Sequence, residues 1–477
     1  MNTALVWFRH DLRLADNPAL LAAVRAAQHV VPVFVWSPED EGSWAPGAAA
    51  RWWLNESLRS LDASLRERGS QLVLRCGATV PALMVLAQEA GATQIYWNCR
   101  YEPAARKVEE SLRRELEQHE LLGHGFHSSR LMEPGKLCSA NGAPYRVFTP
   151  FHRAFVKQVA VHAPQASPRH LPAPPLWPHS LPIEALQLLR QTPRHSPWHQ
   201  KLATHWQPGE AGARQALKRF SNEGLAHYSG QRDRPDLLST SRLSPYLRHG
   251  ELSPHQVWTS VVKSGQRQGK PAGFECEDKF IAELVWREFA TQQLVVSPLL
   301  PDRPRDARFE HMPWRNEPAQ LRAWSYGQTG VAMVDAGMRE LWQTGWMHNR
   351  VRMITASFLV KNLLHDWRLG QRWFWDTLVD ADLASNAYNW QWVAGCSPEA
   401  APWFRIFNPL EQAKKFDPDG KYRERYLGIA AAAGGNTAST LAASEQLTEL
   451  KASRQRALDA WATCVSASAQ RKATPSP

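Results

Sequence analysis

An amide, a guanidinium and a thioether share one helical face in GWMHNRVRMITASFLVKNLLHDW (345–367), where Asn349, Arg352 and Met353 stand at i, i+3 and i+4. Such a trio makes a poor core stripe, because a buried donor without a partner costs about 1–3 kcal/mol. The face either salt-bridges a neighbouring helix or lines a polar site. VDADLASNAYNWQWVAG (379–395) follows, with Asp380 and Asp382 as acceptors that could pair with Arg352. Asn386 sits four residues past Asp382, and Trp390 and Trp392 come next. Two close carboxylates can serve a metal or acid–base chemistry. No His/Glu cluster accompanies them, so pairing with arginine or with a ligand's donors is the better reading. In FIAELVWREF (280–289), Glu283 and Trp286 share a face that can hydrogen-bond and stack on a flat ligand. Arg287, at i+4 from Glu283, offers the plainer alternative of a surface ion pair worth at most about 0.5 kcal/mol. TSRLS (240–244) gathers hydroxyls and backbone N–H groups in one loop, a composition that suits an anion such as a pyrophosphate.

The elements that must position these residues fall into two kinds. ALVWF (4–8), VVPVFVW (30–36), QLVLR (71–75) and QIYW (94–97) read as buried parallel strands alternating with helical patterns, which predicts a doubly wound α/β domain over residues 1–130. The loop after the first strand, WFRHDLRLADNPAL, has no G-x-G-x-x-G and no phosphate-cradling loop, so a nicotinamide site is not expected there. Residues 131–200 are rich in Pro and His, and APQASPRHLPAPPLWPHSLP (163–182) reads as an extended interdomain linker. Residues 201–460 are helical throughout and form an all-α domain. The Ser/Ala/Lys/Pro-rich stretch 461–477 is expected to fray.

Composition narrows the class. The chain of 477 residues has 43% hydrophobic and 21% charged residues, as globular proteins do. No apolar run approaches the roughly 18 residues of a membrane span, and the start lacks a signal-peptide pattern, so a cytoplasmic protein is expected. The six cysteines form no Cys-x-x-Cys pair, which disfavours zinc, iron–sulfur and disulfide scaffolds. A net charge of +11 favours a polyanionic partner. Most of the 22 tryptophans pack in the core, while a minority could stack on bases or a cofactor, or carry electrons.

Taken together, WMHNRVRMITASFLVK, DADLASN, NWQW, AAPWFRIFNP, KFDPDG, ELVWREF, TSRLSPYLRHGELSP and the opening VWFRHDLRLADNPAL resemble the photolyase/cryptochrome family, in order from residue 3 to about 460. The resemblance implies FAD in the helical domain. The flavin-contacting positions are Tyr228, Thr240, Ser241, Arg242, Leu243, Ser244, Arg352, Asp380, Ala381, Asp382 and Asn386. Asn386 matches the residue facing flavin N5, where plant cryptochromes carry Asp. The implied partner is ultraviolet-damaged DNA. Glu283, Trp286, Asn349, Arg350, Met353 and Trp392 match the pocket for a flipped-out cyclobutane pyrimidine dimer, while Arg232, Arg287, Arg350 and Gln412 fall at DNA-contacting positions. Photolyases take their target out of the base stack, and a poorly stacked lesion is cheaper to extrude than a normal base. Trp390, Trp367 and Trp314 match the family's electron relay.

The implied chemistry is cofactor-borne. Reduced FAD absorbs a blue or near-ultraviolet photon, gives one electron to the dimer, and recovers it after the ring splits; Glu283 stabilises the charge that develops on the lesion. Photolyases for (6-4) lesions carry His where this chain has Asn349 and Met353, so the cyclobutane dimer is the expected substrate. GAAARWWLNESLRSLDASLRERGSQLVLR (47–75) and WFWDTLVDADLASN (373–386) resemble the class III group, with class I as the alternative. The antenna implied by that subclass is 5,10-methenyltetrahydrofolate, with 8-hydroxy-5-deazaflavin as the alternative. A monomer without membrane contact is expected. The rival reading is a cryptochrome-like blue-light photoreceptor that does not repair.

Overall fold

In the computed structural model, which describes residues 2–189, 198–267, 269, 275–397, 399, 402–428 and 443–473, five short runs pair into one parallel sheet. They are β1 (Thr3–Phe8), β2 (His29–Trp36), β3 (Val73–Cys76), β4 (Ala92–Asn98) and β5 (Leu122–Phe126), in the order β3-β2-β1-β4-β5. β1 is buried along its whole length, as a central strand covered on both faces must be. Helices α1 (Pro18–Ala26), α2 (Ala48–Arg66), α3 (Thr79–Ala90) and α4 (Pro103–Gln118) cover the sheet. Leu5, Val31, Val73 and Ile95 pack with Leu83, Leu86 and Leu112 on one face. Ala4, Val6, Val30 and Phe34 pack with Leu20, Leu58 and Leu61 on the other. The amino-terminal region is thus doubly wound.

The fifth strand, LGHGF, escapes sequence reading because it carries two glycines and few apolar residues. Those glycines have a packing reason. A Cβ at Gly123 would press on Trp97 and Leu116, and one at Gly125 on Cys99 and Arg113. Glycine in this edge strand lets the Trp97 ring lie flat beneath it.

The Pro- and His-rich stretch is more than a connector. It contains helix α5 (Phe148–Gln158), whose Phe151 and Phe155 are buried in the helical core. Residues farther on run along the sheet region, where Val30 donates to the Pro172 carbonyl and Leu181 to that of Leu74. Residues 190–197, near the end of the expected linker, lie outside the described residues.

Beyond it the chain is helical. The helices that matter for the site are α6 (Tyr228–Gln231), α7 (Ser244–His249), α8 (Glu275–Val296), α9 (Asn349–Ser357), α10 (Trp367–Thr377) and α11 (Leu383–Ala394). The stretch from 461, expected to fray, is helical as far as Ala473. Helix α12 runs from Ala443 to Ala473, and Trp461 packs at 4.9 Å from Phe309 and 6.0 Å from Trp403, measured between ring centroids. Small polar residues in that stretch masked one aromatic anchor. Residues 474–477 lie outside the described residues. Among the described residues, no helix is long and apolar enough to cross a membrane.

The loop after β1 joins the two halves. Leu12 donates to the His249 carbonyl and Leu14 to the Glu210 carboxylate. Arg13, fully buried, donates to the Gly250 carbonyl at 3.0 Å. Gly250 has φ +70°, and any Cβ there would collide with the His10 carbonyl and the Asp11 Cα. The loop that lacks a nucleotide fingerprint is a docking element.

Candidate active site

The helical region encloses a cavity of about 540 Å³ between α7, α8, α9 and α11. That is a normal size for a cofactor pocket. Two local devices aim its walls. His348 caps α9 by accepting from Arg350 N, and Asp382 caps α11 by accepting from Ser385 N at 2.9 Å. Each cap fixes where its helix starts, and so which residues face inward.

Deep in the cavity, Arg352 Nη2 donates to Asp380 Oδ2 at 2.8 Å, and its Nε donates to the Met347 carbonyl at 2.7 Å. Ser244 Oγ donates to the same Asp380 oxygen at 2.6 Å and accepts from Trp346 Nε1 at 3.2 Å. Asp380 Oδ1 is buried and has no hydrogen-bond partner among the described residues. A buried carboxylate oxygen left open toward a cavity is a site for a ligand's N–H or O–H.

Asp382 does not pair with Arg352. It accepts from Arg130 Nη2 at 3.2 Å, a residue 252 positions away. Burial alone would raise its carboxyl pKa; Arg130, Arg287 and Arg248 outweigh that and hold it below the ordinary value. Asn386 donates from Nδ2 to the Gln371 carbonyl at 3.1 Å, which fixes its amide against the cavity wall. In the TSRLS loop Thr240, Ser241, Leu243 and Arg242 all line the cavity. Arg242 adopts φ +53°, and its guanidinium lies over Trp206 at 4.3 Å and Trp346 at 5.0 Å. Tyr228 and Ala381 complete this part of the lining.

Toward the mouth stand Glu283 and Trp286 of α8, Asn349, Arg350 and Met353 of α9, and Trp392 of α11. Trp286 is held by Phe148 of α5, stacked at 3.6 Å between centroids and 5° between planes. Arg232 Nη2 lies 2.7 Å from Glu283 Oε1, and Arg350 Nη2 lies 2.9 Å from Asp233 Oδ2.

Arg287 also lines the cavity, but it does not make the i, i+4 pair with Glu283. Its guanidinium donates to the Ser129 and Leu247 carbonyls at the junction with the sheet region, where burial and then Arg130 lower its pKa to about 9. Gln412 lies on the helix Pro409–Phe416, outside the cavity lining. Of the three relay tryptophans, only Trp390 lines the cavity. It packs against Phe374 at 5.0 Å and Trp324 at 6.3 Å. Trp367 is fully buried under the Arg368 guanidinium, and half-buried Trp314 lies 6.2 Å from Trp403.

Comparison with known proteins agrees with this architecture. Residues 4–174 match the family described as DNA photolyase, and residues 280–473 match the FAD binding domain of DNA photolyase. The chain belongs to the photolyase/cryptochrome family. It is 44% identical over 425 residues to a deoxyribodipyrimidine photo-lyase of Agrobacterium fabrum, covering 89% of this chain and 86% of that protein. Cryptochrome-1 of Arabidopsis thaliana is 37% identical over 89% of this chain and 62% of its own length. A crystal structure of a bacterial class III photolyase from Agrobacterium tumefaciens superposes with a TM-score of 0.89 at 40% identity, covering 98% of both chains.

Within this photolyase framework, several site residues carry little sequence signal. Phe148, which backs Trp286, lies in the stretch expected to be linker. Its signal is the aromatic spacing of FTPFHRAF, which is helical. Trp346 reads as one more core tryptophan beside the polar helix face. Asp233 is hidden by its neighbour Arg232, because an Arg-Asp dipeptide reads as an ordinary surface pair.

Proposed function

We propose that this chain is a deoxyribodipyrimidine photo-lyase of class III type, which uses FAD and light to split cyclobutane pyrimidine dimers in DNA. One observation carries the reading. A single cavity joins a deep Arg352–Asp380 pair with an open acceptor to a mouth lined by Glu283, Trp286, Asn349, Met353 and Trp392.

The donor set fits FAD. Asp380 Oδ1 offers the acceptor a flavin N–H needs, and Arg352 beside it favours negative charge on a reduced ring. Asn386 adds no charge of its own next to that ring. Ser241 and the Thr240–Leu243 backbone would hold the pyrophosphate, while Ser244 steadies Asp380. Bound in its reduced form, FAD supplies photon capture and the single electron that opens the cyclobutane ring and then returns.

The chain's own work is to bind, orient and exclude water. Trp286, fixed by Phe148, and Trp392 present aromatic surface to the apolar face of an extruded dimer. Glu283 hydrogen-bonds the pyrimidine edge and steadies it as charge develops. Arg232 and Arg350 at the rim meet phosphates. Trp390, Trp367 and Trp314 would deliver electrons that reduce the resting cofactor. In this reading the chain acts as a monomer on damaged DNA in the cytoplasm.

We assign methenyltetrahydrofolate as the antenna. The crevice at the carboxyl ends of β1 and β2, where ligands of such sheets sit, is only about 50 Å³. An antenna of either kind is far larger than that, so the assignment rests on the likeness to a class III photolyase. Extraction and absorption spectroscopy of the bound chromophores test this assignment.

The decisive experiment illuminates the reduced holoprotein with a thymine-dimer oligonucleotide and follows recovery of absorbance at the intact-thymine band. Light-dependent recovery is expected, and Glu283→Ala should cut the repair yield more than it weakens lesion binding. No recovery despite normal flavin photoreduction would favour a photoreceptor without repair.

A further inference from the structure

Both cations at the cavity mouth are already neutralised. Arg232 Nη2 is 2.7 Å from Glu283 Oε1, with the two side chains 22% and 35% exposed. Its guanidinium also sits 5.3 Å from the Tyr228 ring centroid, so the arginine is held from two sides. Arg350 is held likewise by Asp233 and by the Phe416 ring at 4.5 Å. A cation paired to a carboxylate cannot neutralise a phosphate at full strength, and releases correspondingly fewer counterions when DNA binds. Of the two carboxylates, only Glu283 is on the α8 face that also presents Trp286 to the cavity.

We infer that Glu283 is a lesion-operated cover for Arg232: a dimer entering the cavity engages the Glu283 carboxylate and thereby frees Arg232 to bind a DNA phosphate. The inference rests on the photolyase reading of the mouth. Its physical content is a competition for one carboxylate. An extruded pyrimidine edge offers N–H donors to Glu283 inside a cavity that excludes water, where such a bond is worth more than the half-exposed ion pair it replaces. Undamaged DNA places nothing in the cavity, so the pair stays closed and Arg232 remains covered. The device raises the affinity of damaged over undamaged DNA through a phosphate contact that reads no sequence and no lesion directly. Arg350 differs, because its partner Asp233 follows Arg232 at the end of α6 rather than facing the cavity from α8; it should contribute equally to both DNAs.

The test is the salt dependence of dark binding by the FAD-loaded full chain to a duplex with and without one thymine dimer. One added phosphate contact changes the slope of log K against log salt by about 0.9. In the unmodified protein the slope should be steeper for damaged DNA by about that amount. Glu283→Gln keeps the size of the side chain but releases the arginine. It should raise affinity for undamaged duplex by up to about tenfold near 0.1 M salt, with a slope steeper by about 0.9. The preference for damaged DNA should fall. Adding Arg232→Gln to Glu283→Gln should erase the gain, and flavin absorbance of each variant reports that the cavity is intact. Equal slopes for the two DNAs in the unmodified protein, or an unchanged undamaged-DNA slope in Glu283→Gln, would overturn the cover. A protein with no preference at all for the dimer would instead overturn the photolyase reading on which the cover rests.

Discussion

Two concavities in this molecule are built from the same residue types and come out opposite. At the carboxyl ends of β1 and β2, Arg9 pairs with Glu109 at 2.7 Å, and Arg100 grips Glu41 through Nη1 and Nη2 at 2.5 and 2.9 Å. Both arginines find an opposite charge inside the protein, and about 50 Å³ remains. In the helical region Arg352 and Asp380 also pair, but the carboxylate keeps one oxygen unpartnered among the described residues and faces about 540 Å³. The sheet has the topology at which nucleotides bind in other proteins, yet its arginines are drawn onto Glu109 and Glu41 and little space is left. The helices have no nucleotide-binding topology, yet an incomplete pair leaves a place for one. A ligand site is marked less by fold than by open volume beside a carboxylate whose hydrogen bonding is incomplete.

The comparison breaks most sharply at Asp380. Asp380→Ala leaves Arg352 half-buried without its carboxylate, a change that costs about 3–5 kcal/mol when a buried pair is broken from one side. FAD affinity should fall at least about 100-fold, read as flavin retained through gel filtration. Stoichiometric flavin in this variant would remove the floor from the site.

Next in size is a buried carboxylate that serves neither concavity. Glu251, fully buried, accepts from Trp53 Nε1, Ser57 Oγ and Gly209 N, tying α2 to the helical region. Burial raises its pKa to about 8, against the lowering effect of those hydrogen bonds. Unfolded, it ionises near 4.5. Between those values the folded chain holds a proton that the unfolded chain has lost, so stability falls as pH rises from 4.5 to 8. Glu251→Gln should remove that slope and gain about 3–5 kcal/mol at pH 8 relative to pH 4.5, measured by denaturant unfolding across pH. Parallel pH profiles for the two proteins would show that Glu251 is ionised in the fold.

The smallest effect sharpens the contrast from the sheet side. Glu41→Gln takes the charge from a crevice where Arg100 keeps Glu102 at 3.3 Å. It should cost about 1–2 kcal/mol of stability and leave flavin content unchanged. Loss of FAD from this variant would show that the two concavities are coupled.

How far this was legible follows from the range of each interaction. The Arg352–Asp380 pair could be read because both residues sit in short, unusual polar runs. Four of five strands could be read because buried parallel strands are apolar throughout. β5 could not, since its glycines make sense only beneath the Trp97 ring. Asp382 read as a partner for Arg352, and the actual partner, Arg130, lies on a loop just past the sheet. Nothing local announces a contact across 252 positions.

The sequence by itself determined the family, the two kinds of secondary structure, and which residues to propose for the cofactor and lesion chemistry, because those depend on residue type and short spacing. Tertiary structure alone decided that the sheet crevice keeps little space while the helical cavity is open. It decided that Phe148 of the supposed linker props Trp286, that α12 is anchored by Trp461, and that Arg232 is covered by Glu283. Each is a question of which distant groups satisfy one another, and charge pairing and ring packing answer it only once the chain has closed on itself.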